Sequence, residues 1–141
     1  MAAQTELSER ILDYGTRIIK VVEALPNTLV GRRIADQLLR SGLSVGANFE
    51  EAQAAESPAD FAHKLQIALK EAREAKYWLR VVSKAEKLPG RRLERLVDES
   101  DQLVAMLSKA VAKAKGKAKP RELAPSSVGG GLESGVEGGE R

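Results

Sequence analysis

Apolar residues recur at helical spacing in four segments of this 141-residue chain. In the first segment they follow one another at alternating steps of four and three residues, as in a helix that buries one face. This apolar stripe consists of Leu7, Ile11, Tyr14, Ile18, Val21 and Leu25. Pro26, Pro58 and Pro89 separate the segments, and proline interrupts helices. The pattern therefore predicts four helices, at approximately residues 5–25, 29–55, 58–86 and 90–115.

The third segment has the clearest helix start. Ser57 can cap the helix, Pro58 suits the first helical position, and Asp60 favours the positive end of the helix dipole. After this start the apolar positions repeat at heptad spacing, and the central ones are alanine. They are Phe61, Leu65, Ala68, Ala72, Ala75, Leu79 and Val82. The alanines predict a narrow contact between this helix and its neighbours.

Small and polar residues occupy the middle of the second segment, SGLSVGAN at 41–48. Two glycines inside a helix cost roughly 2 kcal/mol relative to alanine, and close approach of a neighbouring backbone can offset that cost. We therefore assign a set of residues to helix packing or assembly. They are Ser41, Gly42, Val45, Gly46, Asn48 and Trp78.

A functional pocket around Asn48, Glu50 and Glu51 is the alternative for the same stretch. The two glutamates are adjacent, so on a helix they point about 100° apart and form a poor acid–base pair. Tyr77 and Trp78 could stack on nucleic-acid bases, but in a chain this poor in aromatics they more often fill a core or a subunit interface. We favour packing both for the stretch around Asn48 and for the two aromatic residues.

Composition supports a single all-α domain. Apolar residues make up 43% of the chain and aromatics only 4%, while alanine, leucine, lysine and glutamate abound. The chain has no cysteine, no secretory pattern at its start, and no apolar run of the roughly 18 residues that a membrane helix needs. We expect a cytoplasmic protein that does not enter membranes.

The last part of the chain differs from the rest. Residues 116–141 contain seven of the twelve glycines, and residues 109–121 contain six basic residues and no acid. Such composition favours disorder. We expect the helical domain to occupy residues 1–115 and to be followed by a disordered tail, basic at first and then rich in glycine.

The residues provide no catalytic arrangement. Asp60 and His63 lie three apart, as in the Glu-x-x-His motif of di-iron bundles, but that site needs two such motifs and further carboxylates, and the chain has one histidine. Gly42 and Gly46 lie inside a helix, so they do not form a phosphate-binding loop. We expect no catalytic residue, no metal, no cofactor, and no enzymatic activity.

The stretch from residue 34 to residue 82 resembles a known family, the bacterial four-helix-bundle proteins encoded within intervening sequences of 23S ribosomal RNA genes. The resemblance covers roughly residues 5–115. Its most specific parts are QLLRS at 37–41, SVGAN at 44–48, EEA at 50–52, Phe61, the run 65–74, and Trp78 with Leu79. It implies an up-and-down four-helix bundle that assembles into a homopentameric ring and has no enzymatic activity. The family is also similar to the accessory protein of diversity-generating retroelements, a pentamer that binds nucleic acid and a reverse transcriptase.

Basic residues suggest what such a ring would bind. The chain has a net charge of +3, and phosphate contacts from several copies would add through counterion release. The candidate phosphate contacts are Arg32, Arg33, Arg40, Arg91, Arg92 and Arg95. The sequence thus predicts a non-catalytic oligomeric scaffold that binds nucleic acid, RNA in particular, or an RNA–protein complex. The alternative is a protein-interaction module that recruits a polymerase or reverse transcriptase without binding nucleic acid.

Overall fold

The computed structural model describes the backbone of residues 2–126 and the side chains of residues 4–118. Across these residues the chain forms four helices: α1 (Ala2–Ala24), α2 (Leu29–Gln53), α3 (Pro58–Lys84) and α4 (Arg91–Ser126). Short loops join consecutive helices, which pack up and down beside one another. The predicted all-α four-helix architecture is confirmed.

Local chemistry explains where α2 and α3 begin. The Thr28 hydroxyl accepts a hydrogen bond from the Gly31 amide at 3.1 Å, and the Ser57 hydroxyl accepts one from the Asp60 amide at 3.0 Å. Each side chain thereby satisfies an amide that has no partner within its own helix. Pro58 occupies the first position of α3, where its missing N–H is not needed.

The α1–α2 corner requires glycine at position 31. A Cβ atom there would lie 1.9 Å from the Pro26 carbonyl oxygen, so the first turn of α2 packs directly on the backbone of the preceding loop. No side chain fits between them.

The fourth helix is longer than the sequence pattern indicated, since it continues to Ser126 rather than ending near residue 115. Residues 116–126 are therefore helical rather than disordered. Seven of these eleven residues are alanine, lysine, arginine, glutamate or leucine, all good helix formers, and they outnumber the helix-disfavouring Gly116, Pro120 and Pro125. The remaining part of the predicted disordered tail, residues 127–141, lies outside the described residues.

The core lies between all four helices, but α3 is its centre. Ala68, Ala72 and Ala75 are almost completely buried, and they let α3 pack closely against both α2 and α4. The first helix packs mainly against α2 and only lightly against α4. The α1–α4 side is therefore the open edge of the bundle. In the part of the chain that the structure describes, no helix is long and apolar enough to cross a bilayer.

Candidate nucleic-acid interface

The up-and-down path brings the end of α1, the start of α2, the end of α3 and the start of α4 to the same end of the bundle. The residues concerned are 17–36 and 80–98, and we call this region the basic end. It contains ten arginines and lysines but only five aspartates and glutamates. Charges that the sequence scatters are thus concentrated, and their fields add at this end.

A groove of about 520 Å³ opens at the basic end between α1 and α4. Its floor is apolar and includes Val21, Leu93 and Leu96. Its charged lining residues are all cations, and no acid lines it. The cations are Arg17, Lys20, Arg92 and Arg95.

The cations of the groove are available to a ligand. Arg92 and Arg95 are exposed, as is Arg91 beside them. Among the described residues, none of these arginines forms an ion pair, and neither does Arg17 or Lys20. Their donors therefore remain free for phosphate oxygens, which guanidinium groups bind in bidentate fashion.

Two predicted phosphate contacts on α2 lie at the same end of the bundle. Arg32 and Arg33 are exposed in the first turns of the helix. The Arg32 Nη1 atom donates to the Asn27 Oδ1 atom at 3.1 Å, a neutral partner that leaves the charge of the guanidinium uncompensated. Both arginines therefore contribute to the positive field of the basic end.

Arg40, the sixth candidate, does not join the others. Its guanidinium donates to Glu71 at 3.1 Å and to Glu74, so it joins α2 to α3. The hydrogen bond from Arg40 is the main reason that the pKa of Glu74 lies below its usual value, and a second hydrogen bond, from the Trp78 indole at 3.0 Å, acts in the same direction. With its charge already paired, Arg40 is a poor phosphate ligand and belongs to the packing of the bundle.

Four of the residues assigned to packing or assembly, Ser41, Gly42, Val45 and Gly46, lie at contacts within the chain. Ser41 and Val45 are completely buried, and the Ser41 hydroxyl donates to the Gln37 carbonyl at 2.8 Å. A Cβ atom on Gly42 would lie 2.7 Å from Ile18 Cγ2, whereas one on Gly46 would lie 3.3 Å from Ile11 Cγ2. The glycines thus let isoleucines of α1 approach the backbone of α2.

The alternative pocket around Asn48 is not assembled. The Asn48 side chain donates to the Ser44 carbonyl of its own helix at 2.9 Å. Glu50 accepts a hydrogen bond from Ser8 of α1, while Glu51 pairs with Lys64 of α3 at 3.5 Å. The two glutamates face different neighbours, as adjacent positions on a helix should. Within residues 4–118, no group of three or more metal-binding side chains comes together.

Arg17 and Lys20 were not among the residues selected from the sequence. They lie three residues apart on α1, beside the apolar stripe, and approach the arginines of α4 because the chain runs up and down. Their position beside the stripe could have identified them, but only after α4 had been placed next to α1.

A family model of the 23S rRNA-intervening sequence proteins matches residues 4–109. The chain belongs to this family. The resemblance identified in the sequence is therefore confirmed, and the matched region contains every residue of the groove.

A solved structure is similar over about three quarters of the chain. It is the crystal structure of a protein of unknown function from the S23 ribosomal protein family of Bacteroides thetaiotaomicron VPI-5482. That protein is 35% identical to this member of the 23S rRNA-intervening sequence family, with a TM-score of 0.70. The alignment covers 74% of this chain and 97% of the other. No curated protein shows significant similarity to the chain.

Proposed function

We propose that this protein is a non-catalytic scaffold that assembles into a ring and binds nucleic acid, RNA in particular, through its basic end. The observation that carries the proposal is the groove between α1 and α4, where four cations without acidic partners surround an apolar floor. The phosphate backbone of a nucleic acid is the ligand that matches unpaired arginines and lysines at one end of a small domain.

Assembly would multiply a modest site. One chain offers a few phosphate contacts at the groove, and each contact contributes through the release of counterions. A ring of five chains, the number that the family resemblance implies, would present five such sites to one RNA molecule. Binding at the second and later sites would then occur at high effective concentration.

A candidate surface for this assembly lies on α1 and α2. Leu12 and Ile19 are 63% and 36% exposed and lie one turn to either side of Gly15. The Leu43 side chain of α2 reaches Gly15, where Leu43 Cδ2 is 3.3 Å from the position of an added Cβ, and it is itself 41% exposed. Neighbouring exposed apolar side chains of this kind are typical of protein–protein contacts, and we assign these three to a second copy of the chain.

The function is tested by RNA binding across a range of salt concentrations. We expect the full-length protein to bind a labelled pool of short RNAs, and binding to weaken with salt. The combined change Arg91→Ala, Arg92→Ala and Arg95→Ala removes three free cations, so the slope of log affinity against log salt should become shallower by about 2 for single strands. Light scattering of the same samples gives the number of subunits.

Arg40 supplies a matched control. Arg92→Ala and Arg40→Ala each remove one arginine, but only the first removes a free guanidinium from the groove. Arg92→Ala should therefore reduce affinity more. Unchanged RNA binding after loss of Arg91, Arg92 and Arg95 would refute the proposed interface.

A protein-interaction module that recruits a polymerase or reverse transcriptase is the second candidate. Leu29 and Val30 favour it, since they are 61% and 50% exposed in the first turn of α2, at the basic end. Apolar side chains beside cations suit a protein partner as well as a nucleic acid. Two results together would establish this candidate in place of the first. The purified protein would bind no RNA, and a pull-down with it would still recover a polymerase after nuclease treatment.

A further inference from the structure

Four cations and one aromatic residue form a row along the outer face of α3, and the last two cations of the row, Arg80 and Lys84, also belong to the basic end. The row consists of Lys70, Arg73, Tyr77, Arg80 and Lys84, at steps of three, four, three and four residues. At about 100° per residue, this spacing keeps all five within an arc of about 80° on one face of the helix. All five are exposed, while the opposite face of α3 carries the buried alanines of the core.

This row, which we call the α3 row, contains no acid. The nearest acids on the helix, Glu71 and Glu74, bind Arg40 of α2, and of the row only Lys70, four residues before Glu74, helps to lower the pKa of an acid. Lys76, on the adjoining face, pairs with Asp101 of α4 at 2.8 Å. No cation of the row takes part in an ion pair among the described residues.

An unpaired row of this kind is unfavourable in the free protein. Surface helices ordinarily alternate acids and bases at three- and four-residue spacing, and like charges at that spacing destabilise a helix by a few tenths of a kcal/mol per pair. Lys70 lies three residues before Arg73, and Arg80 lies four residues before Lys84. An anionic ligand along the row would remove this repulsion.

An aromatic ring interrupts the row at its centre. Tyr77 is 58% exposed, so it does not fill the core of the chain, one of the two roles that the sequence favoured for it. Its ring makes an edge contact with Trp78, with centroids 5.1 Å apart and planes at 74°. The Trp78 indole donates to Glu74, which in turn binds Arg40. A chain of contacts from α2 thus restrains the orientation of an exposed ring.

We infer that the α3 row binds single-stranded nucleic acid, with the cations contacting successive phosphates and Tyr77 stacking on a base. Cations interleaved with an exposed aromatic ring are the arrangement that tracks a single strand, whose bases are free to stack. A duplex keeps its bases inside the helix, so it would use the charges but not the ring.

The row also continues the basic end. From Lys70 to Lys84 it extends about 21 Å along the helix, and Lys84 lies at the end of α3 beside the start of α4. A strand held at the α1–α4 groove could therefore continue along α3. The inference rests on the proposed function, since it assigns a second contact surface and a strand preference to the same RNA-binding protein.

The test uses the full-length protein and two labelled RNAs, an oligouridylate that forms no duplex and a perfectly paired hairpin. We expect Tyr77→Leu to weaken oligouridylate binding at least fivefold, because one stacked base is lost, and to leave hairpin binding nearly unchanged. Tyr77→Phe keeps the ring and should bind like the unaltered protein. These exposed positions allow the variants to fold, which circular dichroism verifies.

A second comparison tests whether RNA binding depends on the position of the cations on α3 or only on the net charge of the protein. The combined change Lys70→Gln, Arg73→Gln and Arg80→Gln should lower affinity and make the salt slope shallower by about 2. Its control removes the same charge from exposed positions on α4, through Lys109→Gln, Lys113→Gln and Lys115→Gln. The α4 control should change affinity much less.

The outcomes distinguish this inference from the proposed function. If the unaltered protein binds neither RNA, both fail. If RNA binding needs Arg91, Arg92 and Arg95 but tolerates the α3 row variants, the proposed function stands and the row is excluded. An equal loss of RNA affinity in the α3 row variant and in the α4 control would also exclude the row. Loss on charge removal without any effect of Tyr77→Leu would exclude strand recognition, as would binding of an acidic polypeptide in preference to oligouridylate.

Discussion

The two neighbours of α1 contact it in different ways. Toward α2, α1 presents Ile11 and Ile18, which pack on the backbone at Gly46 and Gly42. Toward α4 it presents polar groups instead. The Tyr14 hydroxyl lies 2.6 Å from Ser100 Oγ, and the Arg10 guanidinium donates to both carboxylate oxygens of Glu99 at 2.7 and 3.0 Å.

The difference shows how a bundle can be tight on one side and open on the other. At the glycines, side chains of α1 fit against the backbone of α2, and this fit requires the surfaces of the two helices to match. It therefore holds α1 and α2 together over a continuous contact. Hydrogen bonds and ion pairs act at points and tolerate a larger separation of the helices. The polar contacts lie in the middle of α1, and beyond them, toward the basic end, the groove opens. The candidate RNA-binding groove thus lies on the side of α1 where hydrogen bonds and an ion pair, rather than close packing at glycine, connect it to its neighbour.

The largest effect should come from filling the glycine contact. In Gly42→Ala the new methyl group would lie 2.7 Å from Ile18 Cγ2 and 2.9 Å from Ile18 Cγ1. Ile18 is completely buried and branched at Cβ, so it cannot rotate away. We expect a loss of about 2 kcal/mol in the free energy of unfolding, measured with urea, after allowing for the better helix propensity of alanine.

Gly46→Ala is the matched control on the same helix. Its added Cβ would lie 3.3 Å from Ile11 Cγ2, which a small shift accommodates. Because alanine improves helix propensity by up to about 1 kcal/mol, stability should stay unchanged or rise. Equal destabilisation by the two changes would mean that the α1–α2 contact is no tighter at Gly42 than elsewhere.

The next effect concerns the buried hydrogen bond between α1 and α4. Ser100 Oγ donates its proton to the Leu96 carbonyl at 3.1 Å, so the Tyr14 hydroxyl is the donor to Ser100. Tyr14→Phe removes that donor and should cost about 1 kcal/mol. Ser100→Ala should cost more, because it leaves the Tyr14 hydroxyl buried without its partner. A double variant no less stable than the serine variant would confirm the pairing.

The same tyrosine gives the protein a pH dependence. Burial raises the pKa of Tyr14 from 10.0 to about 12. The folded state therefore retains a proton that the unfolded state releases, and the stability associated with Tyr14 is present below pH 10 and lost as the pH rises toward 12. Lysines also titrate in this range, so the comparison is with Tyr14→Phe. The stability difference between the two proteins should shrink above pH 10, and a constant difference would contradict the assignment.

Sequence periodicity predicted the helices because it is a local signal. The capping residues Thr28 and Ser57 each bind an amide three residues away, and the heptad spacing of α3 repeats along a single helix. The groove could not be predicted in that way, since Arg17 and Arg92 meet only when α1 and α4 lie side by side. The pairing of Arg40 with Glu71 and Glu74 likewise depends on how α2 and α3 are rotated. Gly42 and Gly46 look equivalent in sequence, and only the distances to Ile18 and Ile11 separate them.

The smallest effect should come from the ion pair between α1 and α4. Arg10 and Glu99 form a bidentate pair, but their side chains are 37% and 17% exposed, so solvent weakens the attraction. A double-mutant cycle with Arg10→Ala and Glu99→Ala should give a coupling energy of about 0.5 kcal/mol. Salt should reduce this coupling, because the screening length falls to about 3 Å at 1 M, whereas the Gly42→Ala penalty should not respond to salt. A coupling that persists at high salt would show that closely packed helices shield the pair from solvent, and the contrast between the two sides of α1 would then fail.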